Sequence, residues 1–287
     1  MEIRKLKPEE WPAQLREIPH LPKRLWVRGA MPPEGTSLLT VVGSRAITPY
    51  GQEACQKLIH GLAGYPISIV SGLALGTDAC AHRAALGAGL HTIAIPGSGL
   101  DDTVISPRTN FRLAEDILAA GGALLSEQEP LHKPWLAEFP SRNRLMVGLS
   151  DAVLVIEGGE KSGTLITARL ASEYNRELLC IPHRINDPHS FGPHLFIRLG
   201  AALVTEPLHI LEALRIPPRE AASRGVAPTD LQGAELEIWR ILKEPKTRDE
   251  ILRGASGAAT PGDTLTALVT LELRGLVREE FGAWHRL

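Results

Sequence analysis

The chain has 287 residues, 44% of them hydrophobic and 22% charged, with a formal net charge of −2. This is globular composition with enough apolar residues for a sizeable core in one or two domains, and any phosphate-binding surface has to be a local patch. No run reaches the roughly 18 apolar residues of a membrane span, and the opening MEIRKLKPEEWP lacks a secretory h-region, so no membrane partner and a cytoplasmic location are expected.

Residues 1–36 carry six prolines, Pro8, Pro12, Pro19, Pro22, Pro32 and Pro33. They read as an N-terminal extension, a short helix and an extended segment, packed on the main domain. From Ser37 to residue 215 the pattern alternates. Strands are expected at LLTVV, ISIV, HTIAI, ALLS, AVLVI, LLCI and ALV, and helices near 51–63, 77–88, 110–120, 163–174 and 207–214. Continuous apolar strands between helices predict an α/β fold, a doubly wound, Rossmann-like and mostly parallel sheet covered on both faces. Residues 216–230, IPPREAASRGVAPTD, read as a linker. Residues 231–287 give three amphipathic helices and two short strands about Gly282, the pattern of a winged-helix domain.

Ligands of open α/β sheets sit at the carboxyl ends of the strands. Four such ends are followed by small polar residues: Gly43-Ser44-Arg45, Ser71-Gly72 to Thr77-Asp78, Pro96-Gly97-Ser98-Gly99, and Glu157-Gly158-Gly159-Glu160-Lys161-Ser162-Gly163-Thr164. Glycine admits close backbone approach, and free N–H groups at helix starts attract anions, so the four edges together suggest an anion-binding cleft. Standard nucleotide motifs fail. Gly97-Ser98-Gly99 is followed by Leu-Asp-Asp rather than the remaining glycine of a dinucleotide loop, and Thr164 stands where a P-loop needs lysine.

Basic residues complete the picture. Arg45 stands at the first edge, Arg108 in SPRTN, Arg142 and Arg144 about Asn143 in FPSRNRL with Phe139 nearby, and Lys161 in the glycine loop. Spaced cations and an aromatic on a glycine-lined groove suit single-stranded nucleic acid. Two readings stay open for these residues: Phe139 is a base-stacking or a core aromatic, and Arg142 and Arg144 are phosphate ligands or ion-paired. Asp78 and His82, four apart on one helix, read as a structural hydrogen bond or cap. No metal is expected there or at His183, His189 and His194. Cys55, Cys80 and Cys180 form no CxxC and read as buried, reduced thiols.

GSRAITPYG, SGLALGTDACAHRAAL, TIAIPGSGLD, FPSRNRLMVGLSDAVLVIEGGEKSGTLITA and GPHLFIRLGA, in that order, resemble the DprA (Smf) family of bacterial DNA-processing proteins from about Trp11 onward. The resemblance implies an extended Rossmann-like domain that binds single-stranded DNA without a cofactor, forms homodimers, protects incoming transforming DNA and loads RecA onto it. It assigns the strand contacts to Gly43, Ser44 and Arg45, to Arg108 and Asn110, to Phe139, Arg142, Asn143 and Arg144, and to Lys161, Ser162, Gly163 and Thr164. It also implies a dimer surface in 186–215. Two departures stand out: Ser106 replaces a tyrosine, and Leu136 replaces a lysine found in some relatives, with Lys133 the nearest substitute.

Two other functions fit the residues less well. A nucleotide phosphoribohydrolase of the lysine-decarboxylase-like (LOG) family needs a catalytic carboxylate in its glycine loop, but Leu-Ile-Thr follows Gly163-Thr164. A winged-helix regulator needs a basic reading surface, whereas residues 231–287 hold eight Lys+Arg against nine Asp+Glu. The expectation is therefore a binding protein, not an enzyme.

Overall fold

The structure, a computed structural model, describes residues 2–135, 138–160, 162–218, 231–244, 246–257, 259–280 and 282–286, without the side chains of 138–140 and 280. The expected linker 216–230 therefore lies largely outside the described residues. Two compact units result, Met1–Pro217 and Pro218–Leu287.

The first unit is built on a nine-stranded sheet. Its strands are β1 (Ile3–Lys5), β2 (Trp26–Gly29), β3 (Ser37–Val42), β4 (Ile67–Ser71), β5 (His91–Ala94), β6 (Ala123–Ser126), β7 (Ala152–Val155), β8 (Glu177–Cys180) and β9 (Ala202–Leu203). They run in the order β1-β2-β6-β5-β4-β3-β7-β8-β9. β3 to β9 pair in parallel, while β1 and β2 add antiparallel at the β6 edge. The prolines of 1–36 thus do not keep that segment off the sheet: it supplies two strands, and Leu6, Leu15, Ile18, Leu25 and Val27 are core residues.

Among the described residues this unit has seven α-helices: α1 (Pro49–His60), α2 (Thr77–Gly87), α3 (Phe111–Ala119), α4 (Glu138–Leu149), α5 (Thr164–Glu173), α6 (Phe191–Arg198) and α7 (Pro207–Ala213). Strand alternation assigns the two faces. Leu38 and Val42 of β3 and Val153 and Val155 of β7 pack in one core cluster with α4, α5 and Phe196 of α6. Leu39, Val41, Ala152 and Leu154 point the other way, into α1, α2 and α7. A buried hydroxyl, Thr40 Oγ1, donates to Met146 O at 2.9 Å and so ties the central strand to α4. Helices α4 and α6 are absent from the sequence expectation. Their stretches contain Pro140 and Gly192-Pro193, but each proline falls in the first turn, where it lacks only an N–H that the helix does not use.

The second unit contains α8 (Gly233–Ile241), β10 (Lys246–Thr247), α9 (Arg248–Ala255), α10 (Pro261–Leu273), β11 (Val277–Glu280) and β12 (Ala283–Arg286). β11 and β12 form the expected antiparallel hairpin, with Gly282 at φ +80° in the turn, and β10 adds to its other side. Thr247 and Thr260 cap α9 and α10 by accepting from Glu250 N and Asp263 N. Ile238, Trp239, Ile251, Leu268, Leu271 and Trp284 form its own core. No helix among the described residues is long and apolar enough to cross a membrane.

Candidate nucleic-acid interface

Strand order reverses at β3: the chain moves outward through β4, β5 and β6, then returns to place β7 on β3's other side. The crevice above this switch point is a cleft of about 650 Å³. Gly43, Ser44 and Arg45 line one wall, Ser162, Gly163 and Thr164 another, and Arg142 and Asn143 enter from α4.

The β3 turn is held by its neighbours. Ser44 O accepts from Thr77 N at 3.0 Å and from Thr77 Oγ1 at 3.2 Å, and Ser44 Oγ accepts from Ala46 N at 3.1 Å. A Cβ on Gly43 would collide with the Thr77 side chain, so glycine is required by close approach. Arg45 is exposed at the rim. The start of α1, where a dinucleotide's pyrophosphate would sit, is already filled. Thr48 caps the helix by accepting from Gly51 N at 3.0 Å. The fully buried Glu157 carboxylate accepts from Thr48 Oγ1 and, at 3.2 Å, from Thr48 N. The Glu157 carboxyl thus takes an N–H at the helix start that a phosphate would otherwise use.

The β7 loop is different. Thr164 Oγ1 donates to Gly43 O at 3.2 Å, which joins the two walls. Ser162 Oγ donates to Thr164 Oγ1 at 2.8 Å and accepts from Thr164 N at 3.2 Å. Gly163 has open space where a side chain would stand. Lys161 and the Phe139 side chain, both expected contacts, lie outside the described residues.

The remaining expected contacts separate by partner. Arg142 lines the cleft but is only 7% exposed. Its Nη1 donates to the carbonyls of Gly72 and Ile95, at the ends of β4 and β5, and its Nε donates to Asn143 Oδ1 at 3.1 Å. It is a strut of the cleft floor rather than a rim cation. Asp78 sits beside it: burial pushes this carboxyl up, opposed by the Arg142 charge and hydrogen bonds from Ala74 N, the Ser71 hydroxyl and Gly72 N. Asn143 Nδ2 donates to Thr167 Oγ1 at 3.0 Å, so its amide bridges α4 and α5 at the cleft wall.

Arg144, Arg108 and Asn110 do not line the cleft among the described residues. Arg144 Nη2 donates to both Glu127 carboxylate oxygens and its Nη1 donates to His20 O at 2.6 Å, so an ion pair and a backbone carbonyl occupy its two terminal nitrogens. Arg108 stacks 4.0 Å from the Phe111 ring centre and donates to Asp102 O. Asn110 is buried, with Nδ2 donating to Leu73 O at 2.9 Å and Ala74 O at 3.1 Å. It braces a loop in which Leu73 and Gly76 adopt φ of +61° and +72°. Its role is to shape the β4 edge.

Cleft residues that the sequence did not place at the cleft include Thr167, Pro188 and His189, while Asp78 lines it as the second edge led one to expect. His189 arrives because Gly158 N donates to His189 O at 2.9 Å, a pairing with no local sequence signal. His82, on α2 below the cleft, is fully buried with Nδ1 2.8 Å from Thr92 Oγ1. Desolvation and then the Arg142 charge bring its pKa down to about 3. Among the described residues no His/Cys/Asp/Glu group could hold a metal.

A mostly parallel, doubly wound sheet with a hydroxyl- and glycine-lined cleft at its switch point defines a Rossmann-like protein without a dinucleotide fingerprint. Residues 2–215 match the family of DNA recombination-mediator protein A, and the chain belongs to that family. It is 39% identical to protein Smf of Escherichia coli K12 over 286 residues, 97% of this chain and 75% of that protein. It is 41% identical to the DNA processing protein DprA of Streptococcus pneumoniae R6 over 201 residues, 70% of each. Two solved structures share the fold. The X-ray structure of S. pneumoniae DprA aligns with a TM-score of 0.68 at 37% identity, covering 74% of each chain. The DNA processing protein A of Helicobacter pylori, solved to describe its single-stranded DNA binding mode, aligns with a TM-score of 0.65 at 30% identity, covering 75% of this chain and 96% of that one.

Proposed function

We propose that this protein binds single-stranded DNA in the switch-point cleft, as a mediator that protects the strand and loads RecA onto it during transformation. The observation that carries this reading is the meeting of Gly43–Arg45, Asn143 and Ser162–Thr164 around one cleft. Segments far apart in sequence there present an arginine, an amide, hydroxyls and bare backbone along a groove. That arrangement suits a chain of phosphates better than one pyrophosphate, whose usual helix end is occupied by Glu157. The H. pylori relative's single-strand binding mode supports the same ligand.

The protein acts by binding rather than by chemistry. Asp78 is the one carboxylate among the described residues of the cleft lining, and it is buried against its own backbone donors. A carboxylate base of the kind a nucleotide hydrolase uses has to reach the substrate, and none of these residues supplies one. The second unit serves as a protein-contact module, consistent with its net −1 charge. Self-association uses the 186–215 face, where Phe191, Leu199, Leu203 and Leu208 are exposed. Co-purification of RecA with the DNA-bound protein tests the partner; its absence with both proteins in excess overturns that part.

Titration of single- against double-stranded oligonucleotides across salt, with AMP hydrolysis followed in parallel, tests the whole reading. Single strands are expected to bind more tightly, with log K falling by about 0.7 per phosphate contact for each decade of salt. Preference for duplex, or release of adenine from AMP, overturns it.

A further inference from the structure

The chain has five tryptophans. Trp239 and Trp284 are buried, and Trp11 and Trp26 pack against core clusters. Trp135 is 68% exposed. Keeping a large aromatic in water forgoes the apolar stabilisation that the other four obtain.

Its place in the fold gives the exposure a meaning. β6 ends at Ser126, and the chain that follows stays on the carboxyl edge of the sheet. There Asp101 N donates to Pro130 O at 3.0 Å and Gly99 N to His132 O at 2.8 Å, which fixes the segment beside the β5 loop. Three residues beyond Trp135, α4 begins at Glu138, so the two Cα atoms are within about 10 Å. α4 then carries Arg142 and Asn143 into the cleft. A narrow depression lined by Gly97, Ser126, Glu127, Gln128 and Ser141 shares Arg142 with the cleft. Lys133, two residues before the indole, is exposed.

We propose that Trp135 is a base-stacking residue: a single strand leaving the switch-point cleft runs along the 131–135 segment and lays one base on the indole. This rests on the reading that the cleft holds single-stranded DNA. Base–aromatic stacking tolerates any sequence, because every base has a π face, and a neighbouring lysine follows the backbone. An exposed ring with an exposed lysine two residues before it, on the same carboxyl edge as the cleft, favours a nucleic acid over an apolar protein partner. The segment therefore lengthens the footprint past the cleft by at least one nucleotide.

The test uses the full chain, a fluorescein-labelled oligo-dT followed by anisotropy, and intrinsic tryptophan emission. Oligo-dT is expected to quench the wild-type emission. Trp135→Ala is expected to remove most of that quenching and to weaken binding roughly tenfold, within the range for one stacked base, with the salt slope unchanged because no charge is lost. Trp135→Phe should keep most of the affinity without the quenching. If wild type binds by anisotropy but Trp135→Ala binds equally well, the proposal falls, the cleft reading stands, and the exposed segment serves a protein instead. If wild type binds no oligonucleotide at any salt, both readings fall.

Discussion

Arg45, Arg142 and Arg144 look alike in sequence, and their partners separate them. Arg144 binds Glu127, 17 residues away, and the carbonyl of His20. Arg142 reaches Gly72 and Ile95. Such long-range partners leave no local signal, which is why the sequence pattern could group these arginines but could not show that Arg45 and Arg142 line the cleft while Arg144 does not. The buried network under the cleft has a consequence for pH. His82, with a pKa of about 3 in the fold and an unfolded value of 6.5, binds fewer protons folded than unfolded between those limits. Stability therefore falls as pH drops below 6.5, by about 1.4 kcal/mol per pH unit from this one group. Asp78, pushed up from 3.8 by burial, has the opposite sign: above 3.8 and up to its folded value, the fold keeps a proton that the unfolded chain loses. Urea midpoints at pH 7 and about 5.5 should converge in His82→Gln relative to wild type; equal shifts in both proteins contradict this assignment.

At the scale of elements, the seven parallel strands were legible because each is a short, continuous apolar run. The five expected helices of the first unit were legible because they fill the gaps between those runs. β1 and β2 were hidden by the prolines around them, and by the fact that their partners, first β6 and then each other, are set by tertiary pairing. The stretch 186–215 shows the same limit. Its apolar residues divide into core, with Phe196, Val204, Ile210 and Leu211 buried, and surface, with Leu199 72% exposed. Periodicity alone could not make that division. Self-association through the surface set implies a dimer by light scattering at micromolar concentration, and Leu199→Asp should shift it toward monomer. A wild-type monomer under those conditions contradicts the proposed face.

For the molecule as a whole, net charge is −2, so attraction to a polyanion has to come from local cations and preorganised backbone donors. The GSR turn illustrates how these combine. Gly43 allows close packing on Thr77, Ser44 anchors the turn, and Arg45 is left exposed at the rim of the cleft. Glu157, read in the sequence only as part of the fourth glycine-rich edge, accepts from Thr48 N and Oγ1 at the start of α1. The measurement that tests the central claim most directly is the salt dependence of single-strand binding in wild type and Arg45→Ala. Loss of one phosphate contact should lower affinity severalfold near physiological salt and reduce the slope of log K against log salt by about 0.7. Unchanged affinity and slope in a folded Arg45→Ala protein would contradict the placement of the DNA in this cleft.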